Sequence, residues 1–195
     1  MARTVNPQEH ARRRAQIIGA AAVEFAERGI DATSTAAICR RAGIGSGTLF
    51  HYFPTKRDIV HAVFADDLPR IDALCARALT EDDPDRGLDA VIDHLLTELA
   101  DPLAPGLATA ATLQAGRDPE FAAILAAADE RIHTTLTTLL RRARRTRGRS
   151  LPLPPASAAR WIRGLVDAGH LGAVDGPRTR TARELRRIAH WLAGR

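Results

Sequence analysis

Cysteine is nearly missing from this sequence: Cys39 and Cys75 are the only two in 195 residues. Both lie in apolar helical patterns and read as buried, reduced thiols, with a redox switch as the alternative. Aromatic residues are also scarce, at 4%, while alanine, leucine and arginine are frequent, a bias that favours helices. No uninterrupted apolar stretch reaches the roughly 18 residues that a transmembrane helix needs. The N-terminus carries no apolar signal segment, so a cytoplasmic protein with no membrane partner is expected. Neither a GxGxxG nor a P-loop glycine pattern occurs, which leaves nucleotide binding without a motif. Cys-x-x-Cys and His-Glu-x-x-His are absent too. The seven histidines are scattered with no pair at ligand spacing, so no metal and no cofactor are expected. No Ser, His and Asp arrangement can be read from the chain, and nothing argues for catalysis.

What is present is enough for a core. Hydrophobic residues make up 45% of the chain, and its length suits one domain or a small domain fused to a medium one. The net charge of +5 is unevenly spread. Residues 1–60 hold nine Lys or Arg against five Asp or Glu, and the remainder 19 against 18. The excess thus sits in the first third, as contact with phosphates would require. Arginine outnumbers lysine 27 to one, so arginine abundance by itself says little; the position of the single lysine, Lys56, says more.

Residues 33–56 read as two short helices joined by a tight turn. Ser34 is a good N-cap, because its hydroxyl can accept a bond from an unpaired amide of the first turn. Ala37, Ile38 and Ala42 share one face at helical spacing. Gly43 sits where a helix stops, in the left-handed conformation that glycine tolerates, and Ile44 plugs the turn. In the second helix, about Ser46 to Phe53, Leu49 and Phe53 are four apart and point inward. Ser46, Thr48, His51 and Tyr52 then point outward. A short helix offering polar tips, braced by the helix before it, has helix-turn-helix geometry and can enter a major groove. Pro54 ends it, and Thr55 with Asp58 forms a weaker kind of capping box for the next helix.

Arg-Arg-Arg-Ala-Gln-Ile-Ile, Phe-Ala-Glu-Arg-Gly, Ala-Thr-Ser, Arg-Arg-Ala-Gly-Ile and Gly-Thr-Leu-Phe-His-Tyr-Phe-Pro-Thr-Lys follow one another between residues 9 and about 64. This stretch resembles the tetracycline-repressor (TetR) family of transcriptional regulators. The resemblance implies an all-α fold. An N-terminal three-helix DNA-binding domain, residues 9–64 with the helix-turn-helix at about 34–53, would precede a helical ligand-binding and dimerisation domain, residues 65–195. It also implies that Thr35 touches the DNA backbone and that Ser46, Gly47, Thr48, His51 and Tyr52 form the recognition surface. Lys56 would bind a phosphate. Two residues depart from the family pattern. Gly45 replaces the usual Ser or Thr cap, at a cost of only a few tenths of a kcal/mol. Phe50 replaces tyrosine, removes a phosphate-binding hydroxyl, and is expected only to pack.

Around this motif, residues 1–8 read as a loose arm, a solvated tail first and otherwise one whose Arg3 reaches a minor groove. A helix from about Gln8 to Arg28 buries Ile18, Ala21, Ala22 and Phe25, and carries Arg12, Arg13 and Arg14 at its start, where a nearby anion would help. A long helix from Lys56 is expected to kink or break near Asp66 to Pro69. Leu88 to Leu99 forms an amphipathic helix, and Leu107 to about Gly116 a short one. Asp118-Pro119-Glu120 opens another, with a basic tail from Arg141 to Arg147. Two closing helices, about Ala156–Val174 and Arg178–Ala193, flank an Asp175-Gly176-Pro177 turn. Gly164, Ala168 and Gly172 make a smooth stripe, flanked by Leu165 and Val166, where a helix of the same subunit or of a partner can approach closely; Leu185, Ile188, Ala189 and Leu192 mark the apolar face of the last helix. Two such helices per subunit would pair as a four-helix bundle, the way the family dimerises. The family also implies a ligand cavity. Phe64, Leu95, Leu99, Leu113, Phe121 and Leu125 are candidates for its apolar lining, and His94, Gln114 and His133 for its polar anchors. The expectation is a homodimeric repressor that releases a palindromic double-stranded DNA operator when a small-molecule effector binds. An activator or a ligand-independent DNA-binding protein of the same fold is the alternative.

Overall fold

The computed structural model describes residues 6–172 and 178–195. Arg3 and the Asp175-Gly176-Pro177 turn lie outside the described residues. All regular secondary structure among the described residues is helical, in ten helices. They form two compact units, residues 1–66 with 106–124, and residues 67–105 with 125–195.

In the first unit α1 spans Pro7–Arg28. Asn6 caps it by accepting a bond from the Gln8 amide, and Pro7 occupies the first turn, where a missing N–H costs nothing. Ile17, Ile18, Ala21 and Phe25 are buried along one face. The helix-turn-helix follows as α2 (Thr35–Ala42) and α3 (Ser46–Tyr52), and then comes α4 (Lys56–Ala65). Chain geometry here is set by caps. Ser34 Oγ accepts from the Ala37 amide at 3.1 Å. Gly43 adopts the left-handed conformation (φ 63°), so the amides of Gly43 and Ile44 return to the carbonyls of Arg40 and Cys39. Thr55 and Asp58 complete a full capping box, stronger than the sequence suggests.

Residues 106–124 join this unit, although the sequence places them in the second domain. They comprise most of α7 (Ala104–Ala115) and the first turns of α8 (Pro119–Arg147). Gly106 makes the fit possible: a Cβ there would collide with the carbonyl oxygen of Ala26 in α1. Periodicity shows which face of a helix is apolar but not which core that face joins.

The second unit holds α5 (Leu68–Thr80), α6 (Pro84–Glu98), the rest of α8, α9 (Pro155–Gly172) and α10 (Arg178–Leu192). The helix expected to kink or break near Asp66 to Pro69 breaks there, giving two helices. Asp66 and Asp67 separate α4 from α5, and Pro69 sits in the first turn of α5. Pro105 likewise falls in the first turn of α7, which begins three residues earlier than expected. Leu88, Val91, Ile92 and Leu95 of α6 pack with Leu136, Leu139 and Leu140 of α8 and Ile162 of α9. At Gly87 a Cβ would lie 2.5 Å from the Ala78 carbonyl oxygen and 2.8 Å from Leu139, so α5, α6 and α8 are drawn together at a point without a side chain. Among the described residues, no helix is long and apolar enough to cross a membrane.

Candidate nucleic-acid interface

α3 is anchored by Leu49 and by Phe53 at its C-cap, and most of the rest of its surface is exposed. Leu49 and Phe53 are buried, while Ser46, Gly47, Thr48 and His51 are exposed on adjoining turns. Gly47 has open space where a Cβ would stand, so a ligand backbone can approach closely. Gly45 occupies the N-cap and offers no side-chain bond, which leaves the first amides of α3 available to an anion. Thr35 is half-buried at the start of α2.

Tyr52 is less free than its helical phase suggests. Its ring packs on His10 of α1 with centroids 4.6 Å apart and meets His51 edge-on at 5.3 Å. His10 is thus a candidate site residue that sequence reasoning missed, since nothing in local spacing reveals a ring stacked from another helix. Phe50 corrects an expectation: it does not pack inward but is 46% exposed. It follows Leu49 by one position, about 100° around the helix, and so leaves the core face. An exposed aromatic beside Thr48 and His51 can make apolar contact with a thymine methyl group. Lys56 is half-buried, its Nζ 3.3 Å from the Asp31 carbonyl oxygen.

Charge pairing holds the motif's supports in place. Glu24, buried in α1, accepts from Arg41 of α2 at 2.7 Å. The Arg41 hydrogen bond holds its carboxyl below the usual range. Gln16 Nε2 caps the end of α2 by donating to the Ala42 carbonyl at 2.6 Å. The cations at the start of α1 already have protein anions: Arg12 and Arg13 pair with Glu9, and Arg14 with Asp66. From the other side, α4 is tied to the α7–α8 corner through Asp118, which is 7% exposed. Arg57 donates to both its oxygens at 2.8 Å, His61 Nε2 lies 2.9 Å from Oδ2, and the Phe121 amide donates to Oδ1. The Arg57 guanidinium, helped by His61, holds the Asp118 carboxyl far below the ordinary carboxylate range.

Residues 17–63 match the family model described as bacterial regulatory proteins, tetR family. Over this stretch the chain is similar to the TetR family. The HTH-type transcriptional repressor KstR2 of Mycolicibacterium smegmatis is 42% identical over 62 residues, 32% of this chain and 30% of that one. The chain therefore matches under a third of this relative's length. Two solved structures show that the rest of the fold is shared as well. A TetR transcription regulator from Haloarcula marismortui superposes with a TM-score of 0.80 at 18% identity, over 94% of this chain and 97% of that one. The transcriptional regulator FadR of Bacillus subtilis, solved in complex with stearoyl-CoA, gives 0.71 at 21% identity over 93% and 98%.

Within this TetR fold the nine candidate ligand-lining residues divide between the two units. In the first, Phe64 meets the fully buried Phe121 edge-to-face at 4.9 Å. Gln114 Nε2 donates to Asp118 at 3.5 Å. Leu113 is 60% exposed and not interior, because two residues on from the buried Ala111 the helix turns it away. Leu113 and Gln114 border an open cleft of about 440 Å³ with Ile30, Thr109 and Arg117. In the second unit Leu95 and Leu99 belong to the core, Leu125 is half-buried, His94 faces Glu98, and His133 Nε2 lies 3.1 Å from the Ala156 carbonyl.

The residues expected at a dimer face also divide. Gly164 and Ala168 are exposed, and a Cβ on Gly164 would meet nothing. Ile188 is exposed as well. Leu192, however, is buried in its own unit, while Leu165 is only half-buried and packs against that core. Leu185 turns inward to where a Cβ on Gly169 would stand 2.9 Å from its Cδ1. The last helix therefore spends Leu185, Ala189 and Leu192 on intrachain packing. The surroundings of Gly172 lie outside the described residues. Two residues missed by the sequence reading fill the outer face: Trp161, 60% exposed one turn before Gly164, and Trp191, 59% exposed one turn after Ile188.

Proposed function

We propose that this chain is a cytoplasmic, homodimeric transcriptional regulator of the TetR family. It binds a palindromic operator through α3 and acts as a repressor that releases DNA when a small molecule binds. The observation that carries the reading is the exposed row of Ser46, Gly47, Thr48 and His51 on a helix pinned from behind by Leu49 and Phe53. Base-edge contacts come from Thr48, His51 and Phe50, and backbone contacts from Thr35, Tyr52 and Lys56. Lys56 exchanges its long bond to a carbonyl for a phosphate. The exposed Trp161, Gly164, Ala168, Ile188 and Trp191 support the dimer, since rings of this size rarely stay in water when a smooth partner face is available. Two heads then read two half-sites about one helical turn apart. The fold shared with the stearoyl-CoA-bound FadR supports an effector that acts by favouring one of two head spacings.

Fluorescence anisotropy on operator DNA tests the assignment. Lys56→Ala is expected to weaken binding to all sequences alike and to lower the salt slope by about 1. His51→Ala is expected to cost about 1–3 kcal/mol on the operator and much less on random DNA. The reverse pattern would contradict the roles given to the two residues. Gly164→Trp has room within its own subunit, so it is expected to sediment as a folded monomer; a dimer would move the interface elsewhere.

A further inference from the structure

Three donor groups converge where α5 begins and α6 ends. Asp67, His94 and Glu98 each offer one ligand atom, and these atoms all lie within 4.8 Å of one another. His94 and Glu98 are one turn apart on α6 and share a face. Asp67, the N-cap residue of α5, brings the third group but makes no capping bond with its side chain. Its ion pair to the exposed Arg70 is long, at 3.6 Å. His94 Nε2 stands 3.4 Å from Glu98 Oε1. That separation matches the edge of a tetrahedron of N and O donors at about 2.0–2.2 Å from a zinc ion, roughly 3.4 Å. The same nitrogen is shut off from solvent and makes no hydrogen bond, although buried polar atoms are nearly always paired. The three side chains are partly exposed, which leaves an entry path for an ion.

We propose that Asp67, His94 and Glu98 bind a first-row divalent cation. One imidazole and two carboxylates, with no thiolate, suit Zn²⁺, Mn²⁺, Fe²⁺ or Co²⁺ and disfavour Cu⁺. Three protein donors leave at least one coordination position for water or an incoming ligand. The ion would fasten the start of α5 to the last turn of α6. The proposal does not depend on the DNA-binding reading, because occupancy is measured on the free protein. It reverses the expectation of no metal: His94 and Glu98 are at i, i+4, but the sequence gives no sign that Asp67 meets them.

The test uses the full chain, stripped with a chelator and titrated with Zn²⁺ against a chromogenic competitor. A parallel titration with Co²⁺ is followed by visible absorption. One equivalent of Zn²⁺ per chain is expected, with Co²⁺ bands of the intensity that four- or five-coordinate sites show. Glu98→Gln, which keeps shape and helix propensity, is expected to weaken binding by at least about 100-fold, as is His94→Ala. Asp72→Asn, a carboxylate on α5 paired with Arg131, is expected to leave it unchanged. Circular dichroism checks that each variant is folded. No stoichiometric binding to the wild-type chain would overturn the proposal. So would a folded Glu98→Gln variant that binds as tightly as wild type.

Discussion

The two units differ in what specifies them. In the first, backbone direction is set by individual polar residues and glycines: Ser34, Gly43, the Thr55–Asp58 box and the Glu24–Arg41 pair. The side chains proposed to meet DNA stand on the outside of helices seven and eight residues long. In the second, position is set by bulk. Leu88, Ile92, Leu95, Leu136 and Leu139 are buried among one another, and any residue of similar size and apolarity would serve. A unit specified by caps and turns keeps a recognisable sequence. A unit specified by volume keeps its shape while its sequence drifts. The relatives follow this division: the 42% match ends within about sixty residues, whereas the fold continues over 94% of the chain at 18% identity.

The sharpest way to break this contrast is a cavity in the second unit. Leu95→Ala is expected to cost about 2–5 kcal/mol, measured by chemical denaturation, while Leu95→Met costs under about 1.5 kcal/mol. Equal losses would mean that this core is as residue-specific as the head. Next in size is Gly106→Ala. Because its Cβ would strike the Ala26 carbonyl, about 1–3 kcal/mol of overpacking strain is expected. Gly47→Ala, with open space around it, should fold normally and lose affinity only for DNA.

A smaller, pH-dependent effect sharpens the picture of the first unit. Asp118 has a carboxyl pKa depressed by Arg57 and His61. Its contribution is therefore complete above the unfolded carboxylate value of about 3.9 and is lost as pH falls from there toward the depressed folded value. The stability gap between wild type and Asp118→Asn is expected to be flat from neutral pH down to about 5 and to narrow below about 4. A gap that widens on acidification would contradict the assigned ion pair.

The same division explains what the sequence reveals. Ser34, Gly43, Leu49, Phe53 and the Asp118 cap are legible because each acts on neighbours a few residues away. The junction at Asp66–Asp67 is visible through Pro69, although two helices and a kinked one look alike in the pattern. Contacts across the chain are not legible. Nothing local places His10 on Tyr52, Arg57 on Asp118, or Gly106 against Ala26. The solvent-facing tryptophans are not legible either: only packing shows that Trp161 and Trp191 face outward while Leu192 faces in.

The central claim is that α3 reads DNA sequence from a paired scaffold. Binding of the full chain to fragments of its own upstream DNA, at two salt concentrations and with excess nonspecific competitor, tests it most directly. Saturable binding of two chains to one short palindrome, surviving the competitor at the higher salt, is the expected result. Binding that is weak, equal on all fragments and abolished by salt would contradict it.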